Sequence, residues 1–354
     1  NQPSQKRQEY TPPLAIEAKQ KSSQTKKPTL TLKNKKTEMT ELDRGSKGII
    51  FTPGLNYNNN GQLILRDNKV SKFIDKRYNY NSLSPELQVG ELIMRINDWD
   101  KYFVIPEKIV EIKNVNLTKL KLPTNVVNWE KETTKTLLLR KGQMNLSKYL
   151  VDNQSTIEIS EIKNIIIHIT QAVIKLFNIG VCFLDLRGDN ILMINDTPFI
   201  IDLENDFFLK SSEELIELLR EFTRGDNINE TKKAEFEAFF PPEINYYYSE
   251  IMIIKSVKNE HTSNMIDMLV YNDIRRTYSN ETEWKEFVNK VMVHKLGTLL
   301  ELGFKNCHVI KESFKKDFDA LLTRVLNHDP NVRPSLEDFQ NLVGKNFVDE
   351  NINN

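Results

Sequence analysis

Apolar positions follow two different periods along the chain. From residue 39 to about 110 they come in short β-like runs broken by turns, at 48–51, 62–65, 69–74 and 102–105. One helix interrupts them, opened by Ser84-Pro85 and carrying Leu87, Ile93 and Ile96. Ser at the N-cap with Pro at the first helical position is a sound start signal. A further strand at 136–139 ends at Arg140-Lys141-Gly142. The period then changes to 3.6. Ile162, Ile165, Ile166, Ile169, Val173 and Leu176 predict one face of a helix over 157–180. Two short strands are expected around 191–202, and helices over 211–223, 283–303 and 314–327. The pattern predicts an α+β chain with a small β-rich part followed by a larger α-helical one.

Composition sharpens this picture at the ends. Residues 1–38 hold nine Lys or Arg against three Glu and few large apolar side chains. Such a stretch cannot bury enough surface to offset ordering entropy, so it reads as a disordered basic arm. Over the whole 354 residues, Lys+Arg and Asp+Glu balance at 49 each. That balance argues against a chain-wide phosphate-binding surface and leaves only the arm to contact an acidic partner or nucleic acid weakly. Cys182 and Cys307 are the only cysteines, too few for a disulfide framework, so a reducing, cytoplasmic setting is expected. The longest apolar runs, such as 165–167, stop far short of the roughly 20 residues that a membrane span needs. The polar first residues predict no secretory signal, and a start at Asn1 rather than Met is consistent with trimming from something longer.

Chemistry concentrates in Phe183-Leu184-Asp185-Leu186-Arg187-Gly188-Asp189-Asn190-Ile191-Leu192, followed by Phe199-Ile200-Ile201-Asp202-Leu203-Glu204. An Asp, an Asn five residues later and a second Asp after an apolar hairpin resemble the catalytic loop and metal-binding Asp of the protein kinase superfamily. The resemblance implies that Asp185 is the catalytic base and that Asn190 and Asp202 hold Mg²⁺, or Mn²⁺, on ATP. It also puts Arg187 where Ser/Thr kinases carry a phosphate-contacting Lys. Upstream, Gly45-Ser46-Lys47-Gly48-Ile49-Ile50 resembles the glycine-rich loop, with Asp43 in place of its first glycine. Val70-Ser71-Lys72 resembles the strand whose Lys contacts the α- and β-phosphates. Glu86 and Glu91 both qualify as its partner, with Glu86 preferred. The resemblance further implies nucleotide contacts from Gly45, Ser46, Gly48, Ile50, Leu139, Leu192 and the hinge residue Lys141.

Downstream, Phe240-Pro241-Pro242-Glu243 resembles A-P-E, and Asp329-Pro330-Asn331-Val332-Arg333-Pro334 resembles D-P-x-x-R-P. In that family these motifs supply a buried Glu–Arg pair, here Glu243 and Arg333. Lys295-Leu296-Gly297 resembles the helix carrying D-x-x-x-L-G, with Met292 where its Asp is expected. The resemblance spans about residues 40–340. It implies a bilobal fold with an N-lobe and hinge over 39–142, a C-lobe over 143–340 with an insertion at about 244–290, and a tail at 341–354.

The departures bear on activity. Phe183 and Leu184 replace the His and Arg of H-R-D, which leaves no Arg to receive an activation-loop phosphate. Glu204 replaces the Gly of D-F-G. The expected function is ATP- and Mg²⁺-dependent phosphorylation of protein Ser/Thr hydroxyls. The alternatives are a pseudokinase scaffold and a small-molecule kinase resembling aminoglycoside phosphotransferases. The Asn-rich text also resembles kinases of large DNA viruses, which implies host cytoplasm or virion as location. The histidines at 168, 261, 294, 308 and 328 lack metal-ligand spacing. His168, Cys182 and the triplet Tyr246–Tyr248 read as packing residues.

Overall fold

The computed structural model describes residues 39–44, 48–74, 83–117, 120, 122, 132–203, 207–224, 234, 236, 240–256 and 262–346. The basic arm, Gly45, Ser46 and Glu204 lie outside them.

Strands Thr40–Arg44 (β1), Gly48–Thr52 (β2), Gly54–Tyr57 (β3), Leu63–Arg66 (β4), Lys69–Ile74 (β5), Lys108–Lys113 (β6) and Thr133–Arg140 (β7) form the N-terminal part, with helices Leu83–Ile93 (α1) and Asn114–Leu117 (α2). Five of these strands make one antiparallel sheet in the order β1-β2-β5-β7-β6. β5 is central, and its sequence fits that place: Val70, Ser71 and Phe73 are buried, so both faces of the strand are covered. Ser71 is tolerated there because its hydroxyl accepts the Leu55 N–H at 2.8 Å. At the edge, β6 alternates Val110 and Ile112 inward with Glu111 and Lys113 outward. Charges on an edge strand discourage pairing with other chains.

The C-terminal part carries Met144–Asn145 (β8), Cys182–Phe183 (β9), Ile191–Ile194 (β10), Thr197–Ile200 (β11) and Phe208–Leu209 (β12) as short strands. Its helices are Leu146–Asn153 (α3), Ile159–Asn178 (α4), Ser212–Phe222 (α5), Pro242–Ser256 (α6), Thr262–Ile266 (α7), Asn272–Thr277 (α8), Glu281–Phe304 (α9), Lys315–Val325 (α10) and Leu336–Asn346 (α11). α4 buries Ile162, Ile165, Ile166, Ile169, Val173 and Leu176, the face its spacing predicts. Asn280 and Glu283 cap α9 reciprocally, which sets where this long helix begins. The fold is α+β, an antiparallel sheet region followed by a helical region. α1 joins the two, because its Val89 and Ile93 enter the same apolar cluster as α4 and α9.

Several expectations need correction. Residues 102–105 form no strand: Phe103 makes one parallel bridge to Ile200, and Pro106, which lacks an N–H, follows directly. The strand is β6, which begins at Lys108. α11 runs past residue 340, where a tail was expected, and buries Val343 completely. The run at 62–65 is β4, but its hairpin partner β3 and the helix α6 have no counterpart in the predicted elements. In the expected insertion, Tyr247 and Tyr248 are buried but Tyr246 is exposed. His168 is half-buried rather than core, bonded to the Lys101 carbonyl at 2.9 Å and stacked on Tyr102.

Candidate active site

Lys72 lies on β5 between Ile50 of β2 and Leu137 of β7 in the sheet register. Only 9% of it is exposed. Its ammonium meets two carboxylates: Glu86 Oε1 on α1 at 3.2 Å and Asp202 Oδ1 at 2.5 Å. A buried lysine keeps its charge only with such partners. Glu86, rather than Glu91, is therefore the acid on α1 that meets Lys72. Asp202 is 130 positions away in sequence. Its backbone is left-handed, with φ 54°, an uncommon conformation for a residue other than glycine. Such outliers persist where the surroundings hold them.

A hairpin sets the distance from Asn190 to Asp202. β10 and β11 pair from Ile191↔Ile200 to Ile194↔Thr197. Their turn uses Asn195 and Asp196, both with positive φ, the conformation that a two-residue hairpin turn requires. The Ile201 N–H then donates to the Asn190 carbonyl at 2.9 Å, closing the hairpin base beside the two polar side chains.

The loop before the hairpin is braced internally. Asn190 Nδ2 donates to the Asp185 carbonyl at 3.0 Å and to its Oδ2 at 2.7 Å. Arg187 Nε lies 3.2 Å from the other oxygen, Oδ1. That Oδ1 is buried and receives no hydrogen bond. Burial pushes the Asp185 carboxyl above the ordinary carboxylate range, against the pull of Arg187 and the Asn190 bond. Phe183 and Leu184, which precede it, are fully buried. β9 pairs with β12, and the Leu184 N–H bonds the Phe207 carbonyl at 2.9 Å, so apolar packing and backbone bonds anchor this end of the loop. Cys182 packs its Sγ 4.0 Å from Met292 Sδ, and burial raises its thiol pKa. It belongs to the core.

Of the other sequence-predicted residues, Gly48 is buried and Ile50 half-buried on β2. Leu139 of β7 and Leu192 of β10 pack into one small apolar cluster with Val104, Ile194 and Phe199, between sheet and helical part. The segment after β7 runs past this cluster. Its Gly142 sits so close to Leu192 that a Cβ there would overlap the leucine side chain. The Lys141 N–H donates to the Asn68 carbonyl at 3.2 Å, and the Gln143 N–H to Met193 at 2.9 Å.

Neither a scan against protein-family models nor a search of curated proteins finds a match. The site therefore stands on its own residues.

Away from the loop, Glu243 and Arg333 close an ion pair at 2.5 Å. One residue escaped sequence reasoning: Lys295 on α9, 3% exposed among Met292, Leu296 and Leu299. Burial lowers its pKa to about 8, while Asp185 is the strongest opposing charge. A lysine at an apolar-face position of a predicted helix was the available signal. Among the described residues no helix is long and apolar enough to cross a membrane.

Proposed function

We propose that the protein is a divalent-metal-dependent phosphotransferase of the protein kinase type, acting on Ser or Thr hydroxyls of a protein substrate. The observation that carries the reading is the meeting of Glu86, Lys72 and Asp202, from three separate elements, beside the braced pair Asp185–Asn190. Phosphoryl transfer is mostly positioning and charge neutralisation, and these groups supply both.

In this reading Lys72, held by Glu86, faces the α- and β-phosphates of ATP. The hinge after β7 and the apolar pair Leu139 and Leu192 flank the adenine. Asp185 Oδ1, buried without a donor, orients the acceptor hydroxyl. The hydroxyl oxygen forms the new bond to the γ-phosphorus, the bond to the bridging oxygen of ADP breaks, and the proton passes to Asp185. Arg187 offsets charge on the transferred group. Asn190 and Asp202 offer hard oxygen ligands, a donor set that fits Mg²⁺ or Mn²⁺ shared with phosphate oxygens. When bound, that cation neutralises phosphate charge.

The Glu243–Arg333 pair favours a protein substrate over a small-molecule one, because it ties the start of α6 to the turn before α11. Purified protein should be incubated with labelled ATP, Mg²⁺ or Mn²⁺, and generic acidic and basic proteins. Label on Ser or Thr that disappears with Asp185→Asn supports the reading. A folded wild type with neither metal-dependent ATP binding nor transfer replaces it with a scaffold.

A further inference from the structure

Lys295 is a cation inside the core. It lies on α9 with 3% of its surface exposed, among Met292, Leu296 and Leu299, all buried. Lysine almost never occupies such a place without a paired charge, because taking an ammonium out of water is costly. The packing of α9 does not call for one. Its neighbours one turn away on the same face, Met292 and Leu299, are apolar, and methionine fills the position at similar volume.

The helix places this cation beneath the loop of the proposed site. Met292 Sδ, one turn earlier, lies 4.0 Å from the Sγ of Cys182, three residues ahead of Asp185. Lys295 shares the wall of a cavity of about 490 Å³ with Leu186, Arg187 and Gly188, the residues that follow Asp185. Asp185 is the strongest charge opposing the desolvation of Lys295, and Lys295 in turn favours the charged form of Asp185. With a pKa lowered to about 8, Lys295 remains largely an ammonium at neutral pH.

Arg187 also meets Asp185, its Nε 3.2 Å from Oδ1, but the two cations are not equivalent. The Arg187 side chain is 55% exposed, so water and salt screen its charge. It is also the group proposed to offset charge on the transferred phosphoryl group. Lys295 is walled in by α9, its charge is screened less, and it cannot follow the phosphate.

We propose that Lys295 is a positioning residue for phosphoryl transfer, holding the Asp185 carboxylate from beneath the loop while Arg187 serves the transferred group. The inference rests on the phosphotransferase reading above and adds to it a residue that touches neither nucleotide nor acceptor.

Two measurements on the full chain test it. Lys295→Met should lower kcat about tenfold and leave KM for ATP unchanged, because its effect passes through Asp185. A parental kcat, or a loss of kcat matched by an equal rise in KM, overturns the proposal. The second measurement needs no activity: denaturant unfolding of Lys295→Met, Asp185→Asn and the double variant. Each single change leaves the other group buried with one partner fewer, so the midpoint shift caused by Lys295→Met should shrink by about half or more once Asp185 is Asn. A Lys295→Met that fails to fold while the double variant folds shows the same coupling. Additive shifts, or failure of both to fold, assign Lys295 to packing alone and overturn the proposal. Transfer with additive shifts thus removes the Lys295–Asp185 pair and keeps the activity. Coupled shifts in a wild type that transfers no phosphate remove the activity and keep the pair.

Discussion

Arg333 and Glu243, 90 positions apart, form a single pair in which Nη1 meets Oε1 at 2.5 Å and the arginine side chain is wholly shielded from solvent. Arg333 also donates to the carbonyls of Asn327 and Lys290, at 2.7 and 3.0 Å. One guanidinium thus joins α6, α9 and the turn before α11. Glu243 accepts with one oxygen only, its Oε2 being buried without a partner.

Removing one member of such a pair leaves the other charge buried. Glu243→Ala is expected to cost about 3–5 kcal/mol of stability. Denaturant unfolding of variant and parent checks it, and equal midpoints would remove the pair from any anchoring role.

His294 gives a pH dependence. Burial, followed by the charges of Arg333, Lys295 and His328, lowers its pKa from 6.5 to about 3. The folded chain therefore keeps this imidazole neutral where the unfolded chain protonates it. Its contribution to stability is complete above pH 6.5 and declines as pH falls from there towards 3. Unfolding curves of wild type and His294→Leu at pH 7.5 and pH 5 should show the larger acid loss in wild type. A parallel decline in both would disprove the assignment.

The sequence made the α4 face and the hairpin between Asn190 and Asp202 readable, because each has a strong local period and its own turn chemistry. The kinase resemblance brought Lys72 and Glu86 into view on a strand followed by a helix, although α1 begins at Leu83, ahead of the Ser84-Pro85 start signal. Long-range relations were beyond the sequence. The extended segment 102–105 is apolar and strand-like in text, yet it pairs only through Phe103, since ladder formation depends on a neighbour found elsewhere in the chain. The buried ammonium of Lys295 looks in sequence like any lysine on a helix, and only packing of α9 under the loop makes it a core cation. Val343 follows the same logic, its burial supplied by tertiary contacts of α11 with α4.

Gly142 tests the apolar cluster near the hinge. A Cβ at this position runs into the body of the Leu192 side chain, so Leu192 must change rotamer. Overpacking of this kind costs about 1–3 kcal/mol. Because Leu192 flanks the proposed adenine position, Gly142→Ala should weaken ATP binding about tenfold, equivalent to 1.4 kcal/mol. Titration calorimetry reads the affinity and a melting curve the stability. Unchanged affinity in a destabilised variant would move the adenine away from this cluster.

Asp185 and Asp202 both carry carboxylates in the site, yet they face different groups, and this separates their roles experimentally. Asp202 meets Lys72, on the side where the nucleotide phosphates are proposed, whereas Asp185 is bound to Asn190 and Arg187 within its loop. Asp202→Asn keeps the shape but removes one negative charge from the pair proposed to hold the metal. It also leaves Lys72 with Glu86 as its remaining carboxylate partner from this trio. Metal-dependent ATP binding should fall by about tenfold or more, corresponding to at least about 1.4 kcal/mol. Asp185→Asn withdraws the group proposed to orient and deprotonate the hydroxyl, so turnover should fall by about 10²–10⁴ while ATP affinity stays near that of wild type. Nucleotide binding with and without Mg²⁺, together with single-turnover transfer, distinguishes the two variants. If both lose ATP affinity equally, Asp185 belongs to the nucleotide site and not to the acceptor side. If neither loses turnover, the phosphotransferase reading fails at its centre.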